Sequence, residues 1–340
     1  MRNLSTTRGA ASSTAAWKQF DHIGIEDAAR ALVGVVQRTP LVPFDLGDPR
    51  AELRLKLENR QETGAFKARG AWNQIRQLEP VVRERGVVAC SSGNHGRALS
   101  WAAQRAGVQA TIFMPQNAYP NKIQACRDLD AEVVLAPTRE QAEELAAERI
   151  AAGATLVHPY DAERTVAGAG TVGLEIAEDW PTVDVVVLPV GGGGLAGGSS
   201  LALRRARGND VRIVAVEPAG APTLDRALEA DGPVVLTDIT TNVQGLCPLH
   251  CGKVNHAVLK TTLDHVELLA DDEIFAAQKE LVRAGEVVEP AGAAATAFVR
   301  GGLPEPWLEG RSADRPLRVC AVVSGGNPDP AQLEALRESL

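Results

Sequence analysis

Positive charge is in short supply in this chain. Thirty-five lysines and arginines face 43 aspartates and glutamates, leaving a net charge of −8 over 340 residues. A surface of that sign offers no broad field to a polyanion, so nucleic acid is not expected as a partner. Long apolar runs are missing too. The longest candidate, Val183 to Val190, already contains Asp184 and Pro189 and falls far short of the ~20 residues that a membrane-spanning helix needs, so no membrane partner is expected. Cysteine is sparse and odd in number, five in all, which does not suggest a disulfide framework and points to a reducing, cytoplasmic setting. Only Cys247 and Cys251 are close; with His250 and His256 they fall short of the ligand spacing of a closed zinc site, and no metal is expected. Internal repeats, coiled-coil heptads and low-complexity linkers are absent as well.

What remains has the balance of a globular protein. Hydrophobic residues make up 45% and charged residues 23%, enough for a sizeable core in one large α/β domain or two smaller ones. The first twenty residues are rich in Ser, Thr and Ala, carry Arg2, Arg8 and Lys18, and hold no acid before Asp21. They have a faint transit-peptide character and are expected to form a frayed arm.

Short β-branched runs alternate with Ala-rich helical segments, the pattern of a mainly parallel α/β sheet. Strands are predicted at Val87 to Cys90, Ala110 to Phe113, Glu132 to Leu135, Val183 to Leu188, Val211 to Val216 and Arg318 to Val323. One helix should begin within Asn94 to Arg97 and stop at Gly107, and another should follow caps at Asp271 and Asp272 and end before Gly285.

Three segments carry chemistry. The first is the predicted strand that runs through Pro189 and Val190 into Gly191, Gly192, Gly193 and Gly194, then Leu195 and a helix from about Ala196 to Arg205. Four residues without Cβ let backbone N–H groups converge on an anion, and the helix N-terminus adds positive partial charge, so this turn should hold a phosphate. Which phosphate stays open at this point. Gly192 to Gly197 satisfies G-x-G-x-x-G and Glu217 ends the next strand about twenty residues on, as a dinucleotide site requires. That pattern suits an NAD-dependent oxidoreductase. A nucleoside-triphosphate loop is disfavoured, because no Lys-Ser/Thr pair follows the glycines. The second segment is Ser91, Ser92, Gly93, Asn94 and His95, where a strand meets small hydroxyl residues and a helix start. Such a turn offers hydroxyls and free N–H groups to an amino-acid carboxylate. The third is Lys67, behind Gly64, Ala65 and Phe66; with few charges just before it, its amine is placed to be desolvated and lowered in pKa, as imine formation with an aldehyde cofactor needs.

Five segments then occur in order: ENRQETGAFKARGA from Glu58, SSGNHGRAL from Ser91, PVGGGGLAGG from Pro189, VEPAGAAATA from Val288 and VVSGGNPD from Val322. With them the chain resembles the fold-type II pyridoxal-phosphate enzymes, within them the serine/threonine dehydratase and serine racemase family, from about Thr39 to Pro328. The resemblance implies an α/β fold like that of the tryptophan synthase β chain, with two open twisted sheets flanked by helices. Residues 1–85 and 161–340 would form a large cofactor-binding domain and 86–160 a small domain. It implies pyridoxal 5′-phosphate as cofactor, a small amino acid as substrate and a homodimer. By the same likeness Lys67 is the Schiff-base lysine, Asn94 bonds the ring hydroxyl, Gly191 to Leu195 bind the phosphate and Ser324 faces the pyridine nitrogen. Ser91 to His95 would cradle the substrate carboxylate, and Ser92 matches the acid/base residue of the racemases.

The expected activity is β-elimination: a small serine- or threonine-like β-hydroxy amino acid gives a 2-oxo acid and ammonia. Racemisation on the same scaffold is the alternative. The chain departs from the family pattern at Ala65, where a hydroxyl residue is usual, at Val243-Gln244-Gly245, where Ala-Asp-Gly is usual, and through Asn242 to His256. These departures put the choice of substrate in doubt. Some relatives hold a divalent cation through a glutamate, a carbonyl and an aspartate. Glu217 and Ala221 match the first two, but Thr223 replaces the last acid, so that metal is not expected. The C-terminus follows soon after Asn327, and the regulatory domain of biosynthetic threonine deaminases is not expected.

Overall fold

The computed structural model describes residues 15–339. Ten strands form two sheets. Strands β1 (Leu41–Phe44), β2 (Ala51–Leu57), β7 (Val185–Pro189), β8 (Arg212–Pro218), β9 (His265–Leu269) and β10 (Leu317–Val323) make a six-stranded sheet in the order β1-β2-β10-β7-β8-β9. Strands β3 (Val87–Cys90), β4 (Ala110–Pro115), β5 (Glu132–Ala136) and β6 (Thr155–Leu156) make a second sheet in the order β5-β4-β3-β6. Every pairing is parallel except β1 with β2. Parallel sheets need both faces covered, and accordingly every residue of β7 is buried.

All six predicted strands are present, with ends shifted by a residue or two. Four more were not predicted. In β2 leucines at 53, 55 and 57 alternate with Glu52, Arg54 and Lys56, a leucine alternation rather than a β-branched run. β1 carries Pro43 at the sheet edge, where no ladder bond is demanded of its nitrogen. β6 is only two residues long, and β9 has a single β-branched residue.

Two helix starts differ from expectation. The helix after the glycines spans Gly194–Arg207, so it begins inside the glycine run, not at Ala196. In the helix Asp271–Arg283 the cap position is Ala270, not an aspartate. Glu273 reaches back to accept from Ala270 N at 2.9 Å, while the Asp271 carboxylate accepts from Thr241 Oγ1 and Asn242 N. The helix Asn94–Ala106 ends as predicted on Gly107, at φ +64°.

The expected N-terminal arm lies outside the described residues up to 14. From Ala16 to Phe20 the chain is not frayed: it forms a short turn whose Trp17 and Phe20 pack on Ile23, Ile25, Val166, Leu201 and Val258. Burial of that apolar surface is what fixes it.

Three helices meet at unusually close range. A Cβ on Gly168, in the helix Glu163–Asp179, would lie 2.5 Å from Arg69 O, and one on Gly173 would lie 2.3 Å from Ser199 O. Glycine is what lets this helix touch the backbones of both Lys67–Ile75 and Gly194–Arg207. The lysine and the tetraglycine turn are thereby fixed relative to one another through a single intermediary.

Candidate active site

The C-terminal ends of parallel strands are where α/β sheets place their ligands. Here Cys90, Pro115, Pro189 and the residue after β10, Ser324, all border one cavity of about 290 Å³. Lys67, Ser91 to His95, Gly191 to Leu195 and Ser324 line it together, so the residues that the family likeness assigned to cofactor and substrate share one space supplied by both sheets.

Lys67 is the first residue of its helix. The chain before it is threaded into the last motif: Ala65 bridges Gly325, Phe66 N donates to Ser324 O at 3.1 Å, and Gly326 N donates to Gly64 O at 2.7 Å. At Gly64, φ is +75° and a Cβ would lie 2.4 Å from the Asn327 amide, so only glycine fits. Lys67 Nζ donates to Pro159 O at 2.6 Å. Among the described residues no carboxylate pairs with it, and burial lowers its pKa to about 8. Near neutral pH such an amine is unprotonated far more often than that of an ordinary lysine.

Behind Lys67, Arg69 is wholly buried. It donates to Glu58 at 2.8 and 2.7 Å and to Glu175 at 2.6 and 2.9 Å; the equally buried Lys56 donates to Glu175 at 2.6 Å. The two cations hold the Glu58 carboxyl below its usual pKa despite its burial. This cluster anchors the start of the Lys67 helix to β2.

The serine-rich turn is held by its own first residue. Ser91 Oγ accepts from Gly93 N at 3.3 Å and Gly96 N at 3.2 Å. The first-turn amides of Asn94 and His95 precede the helix's own acceptors and are left for a ligand. Ser92 is half-buried in the cavity wall. Asn94 accepts from Asn327 Nδ2 at 2.7 Å and donates to Glu289. His95 Nε2 pairs with Val157 O at 2.7 Å; burial, then the nearby Lys67 charge, drops its pKa to about 3, so it stays neutral.

Glu289 is a cavity residue that motif reading missed, although it sits in the VEPAGAAATA segment. Burial raises its pKa, opposed by the Asn94 amide. Arg139 and Tyr160 also line the cavity and carried no sequence signal, and Cys247, noted in the sequence only as half of a cysteine pair, lines it too. Gln244, one of the family departures, donates to Tyr119 Oη at 2.9 Å and accepts from Lys122 at 3.5 Å outside the cavity wall. It joins the loop before the cavity to the helix Pro120–Arg127 beyond β4.

The carbonyls of the glycine turn lie against neighbouring polar groups. Thr223 Oγ1 lies 3.1 Å from Gly191 O, Asn255 Nδ2 is 2.6 Å from Gly192 O, and Gly197 N is 2.7 Å from Gly193 O. Glu217, which a dinucleotide site would need free for a ribose, is fully buried. It accepts from Thr223 Oγ1 and Leu224 N at 2.8 Å and from Asp225 N at 2.9 Å, and burial pushes its pKa to about 7. It is spent on the helix Thr223–Glu229. Among the described residues no group of three or more His, Cys, Asp or Glu side chains is arranged to hold a metal. The neighbouring cysteines diverge: Cys247 faces the cavity and Cys251 is buried under Gly193.

A desolvated amine at one end and a glycine nest at the other are the donor set for an aldehyde that carries a phosphate. The model of the pyridoxal-phosphate-dependent enzymes matches residues 33–325. The chain belongs to that family. Within the pyridoxal-phosphate-dependent enzymes, an L-threonine ammonia-lyase of Thermotoga maritima is 37% identical over 92% of this chain and 77% of its own. A catabolic L-threonine dehydratase of Staphylococcus aureus is 35% identical over 92% and 91%. Among solved structures, maize serine racemase superposes with a TM-score of 0.83 at 30% identity, covering 93% of this chain and 96% of that one. The processed threonine deaminase isoform 2 of Solanum lycopersicum superposes with a TM-score of 0.85 at 28% identity, covering 96% and 89%.

Proposed function

We propose that this protein is an ammonia-lyase that eliminates water from a small serine- or threonine-like β-hydroxy amino acid and yields a 2-oxo acid and ammonia. The observation that carries this reading is the pairing, in one cavity, of the Lys67 amine with pKa near 8 and the glycine turn. Gly191 to Leu195 would hold the phosphate through their amides, with Asn94 toward the ring hydroxyl and Ser324 toward the ring nitrogen. Bound pyridoxal phosphate supplies the electron sink that makes the substrate Cα acidic.

The rest falls to the chain. The turn Ser91 to His95 binds the carboxylate through the free amides of Asn94 and His95 and through Ser92. Lys67 Nζ, partly neutral and held by Pro159 O, removes the Cα proton. Ser324 is uncharged, so it keeps the sink weaker than a carboxylate would and favours expulsion of the β-hydroxyl. The product released is an enamine, which water hydrolyses to the oxo acid and ammonia.

We further propose that residues 86–160 act as a small domain that closes on the domain of 1–85 and 161–340; the four-stranded sheet falls within the first range and the six-stranded sheet within the second. Homodimerisation rests on family likeness and is checked by sedimentation equilibrium, which a monomer mass would contradict. Cytoplasmic placement rests on five cysteines, all free, and fractionation of the source cells tests it.

Racemisation is the second reading, favoured by Ser92, which shares the cavity with Lys67 but enters from the other sheet. One assay separates the two: incubation with serine, threonine, 3-hydroxyaspartate and phenylserine, with oxo acid and chirality followed together. Elimination predicts oxo acid from at least one substrate, and Ser92→Ala should suppress any enantiomer formed while elimination persists. Enantiomer without oxo acid would overturn the lyase reading.

A further inference from the structure

One buried side chain grips the tetraglycine turn from behind. Asn255 lies in the helix Lys253–Thr262 and is wholly buried. Its Nδ2 donates to two carbonyls at once, Gly192 O at 2.6 Å and Tyr160 O at 3.1 Å, and Gly252 N gives Gly192 O a second bond at 3.1 Å. The fit around the turn is close. A Cβ on Gly192 would lie 2.3 Å from the Tyr160 ring, and one on Gly193, at φ +89°, would lie 2.8 Å from Asn255 Cβ.

The arrangement carries a cost. Asn255 Oδ1 is buried with no hydrogen-bond partner, and an unpaired buried acceptor is destabilising. Flipping the amide gives no relief, because it would set Oδ1 against two carbonyl oxygens. Asparagine at this position is therefore understandable only through what its donor does. In a trans peptide the C=O and the following N–H point in opposite directions. Drawing the Gly192 carbonyl outward aims the Gly193 N–H back into the cavity.

We propose that Asn255 is the positioning residue of the phosphate turn, setting its grip on the phosphate half of the cofactor. The inference rests on the reading that this turn holds the phosphate. Tyr160 O makes the same amide a link to the segment whose Pro159 O receives Lys67 Nζ, so the two ends of the site are tied through one residue.

The test compares apoprotein binding of pyridoxal phosphate with that of pyridoxal, which lacks the phosphate, by absorbance titration, alongside thermal unfolding of the apoprotein. Two variants are used: Asn255→Asp, which keeps the shape but replaces the donor with an acceptor, and Asn255→Leu, which removes the unpaired oxygen as well. Each should lose pyridoxal phosphate affinity by about tenfold or more, the scale of one hydrogen bond to a charged group, while pyridoxal affinity stays within about twofold. An unchanged ratio of the two affinities in a folded variant overturns the proposal, as does a parallel loss of both ligands, which marks a general packing defect. If Asn255→Leu does not fold, the ratio in Asn255→Asp decides. A wild type with no preference for the phosphorylated ligand would sink the phosphate reading of the turn itself, which distinguishes that failure from a failure of Asn255.

Discussion

The reactivity of Lys67 is a matter of what is absent around it. Among the described residues its amine has a carbonyl partner and no carboxylate, so burial acts on its charge unopposed and lowers the pKa to about 8. The neutral amine is the form that attacks an aldehyde. The rate at which apoprotein captures pyridoxal phosphate should therefore rise with pH and level off above about 8. Stopped-flow absorbance measures this, and a rate still climbing toward pH 10 would mean an ordinary, solvated lysine. Burial acts in the same sense on other groups of the cavity: it keeps His95 neutral and raises the pKa of the Glu289 carboxyl. Lys67 and Arg139 are the basic side chains of the wall, which suits the proposed binding of a phosphate and a carboxylate. At this scale sequence reading reached the residues with a spacing signal and missed those without one. Lys67, Asn94 and the glycines stand in runs whose chemistry is visible locally. Tyr160, Arg139 and Asn255 reach the site only through folding, and no local pattern marks them.

Among the elements, the helix Lys67–Ile75 is positioned from two directions. Glycine contacts set its distance from Glu163–Asp179, and the buried Arg69 ties its first turn to Glu58 and Glu175. Removing one partner of a buried ion cluster strands the others. Arg69→Met should lower unfolding stability by ~3–5 kcal/mol, read by urea denaturation. The sign with pH is also set. The Glu58 carboxyl is held below its usual pKa, so its contribution is complete above the unfolded carboxylate pKa and is lost as pH falls through the folded value. The gap between wild type and Arg69→Met should narrow on acidification; a gap that is constant with pH would place the effect in packing alone. Element boundaries show why local signals fail where tertiary contacts decide. Asp271 has the composition of a cap, yet its carboxylate is drawn to Thr241 and Asn242, and Glu273 does the capping. Lys56 can stand buried in β2 because Thr39 O and the Glu175 carboxylate accept from it.

In the whole molecule, two mostly parallel sheets point their carboxyl ends at a shared cavity, and side chains join the two across it. Asn94 meets Glu289 and Asn327, Arg97 donates to Asn327 Oδ1 at 2.6 Å, and Gln244 reaches Tyr119. The α/β class was legible because strand and helix periods alternate cleanly from Val87 onward. The strand order was not, since periodicity says which segments are strands and nothing about their neighbours. The chain's departures from family pattern also divide at this scale. Ala65 is buried in the bridge to Gly325, Gln244 belongs to the junction between the sheets, and only Cys247 and its neighbours face the ligand space. The account as a whole stands on a covalent link between one amine and the cofactor. Borohydride reduction of the holoprotein followed by peptide mass mapping tests it most directly. The reduced cofactor should be found on Nζ of Lys67 and vanish in Lys67→Ala; a label on another lysine, or a holoprotein that takes up no label, contradicts the account.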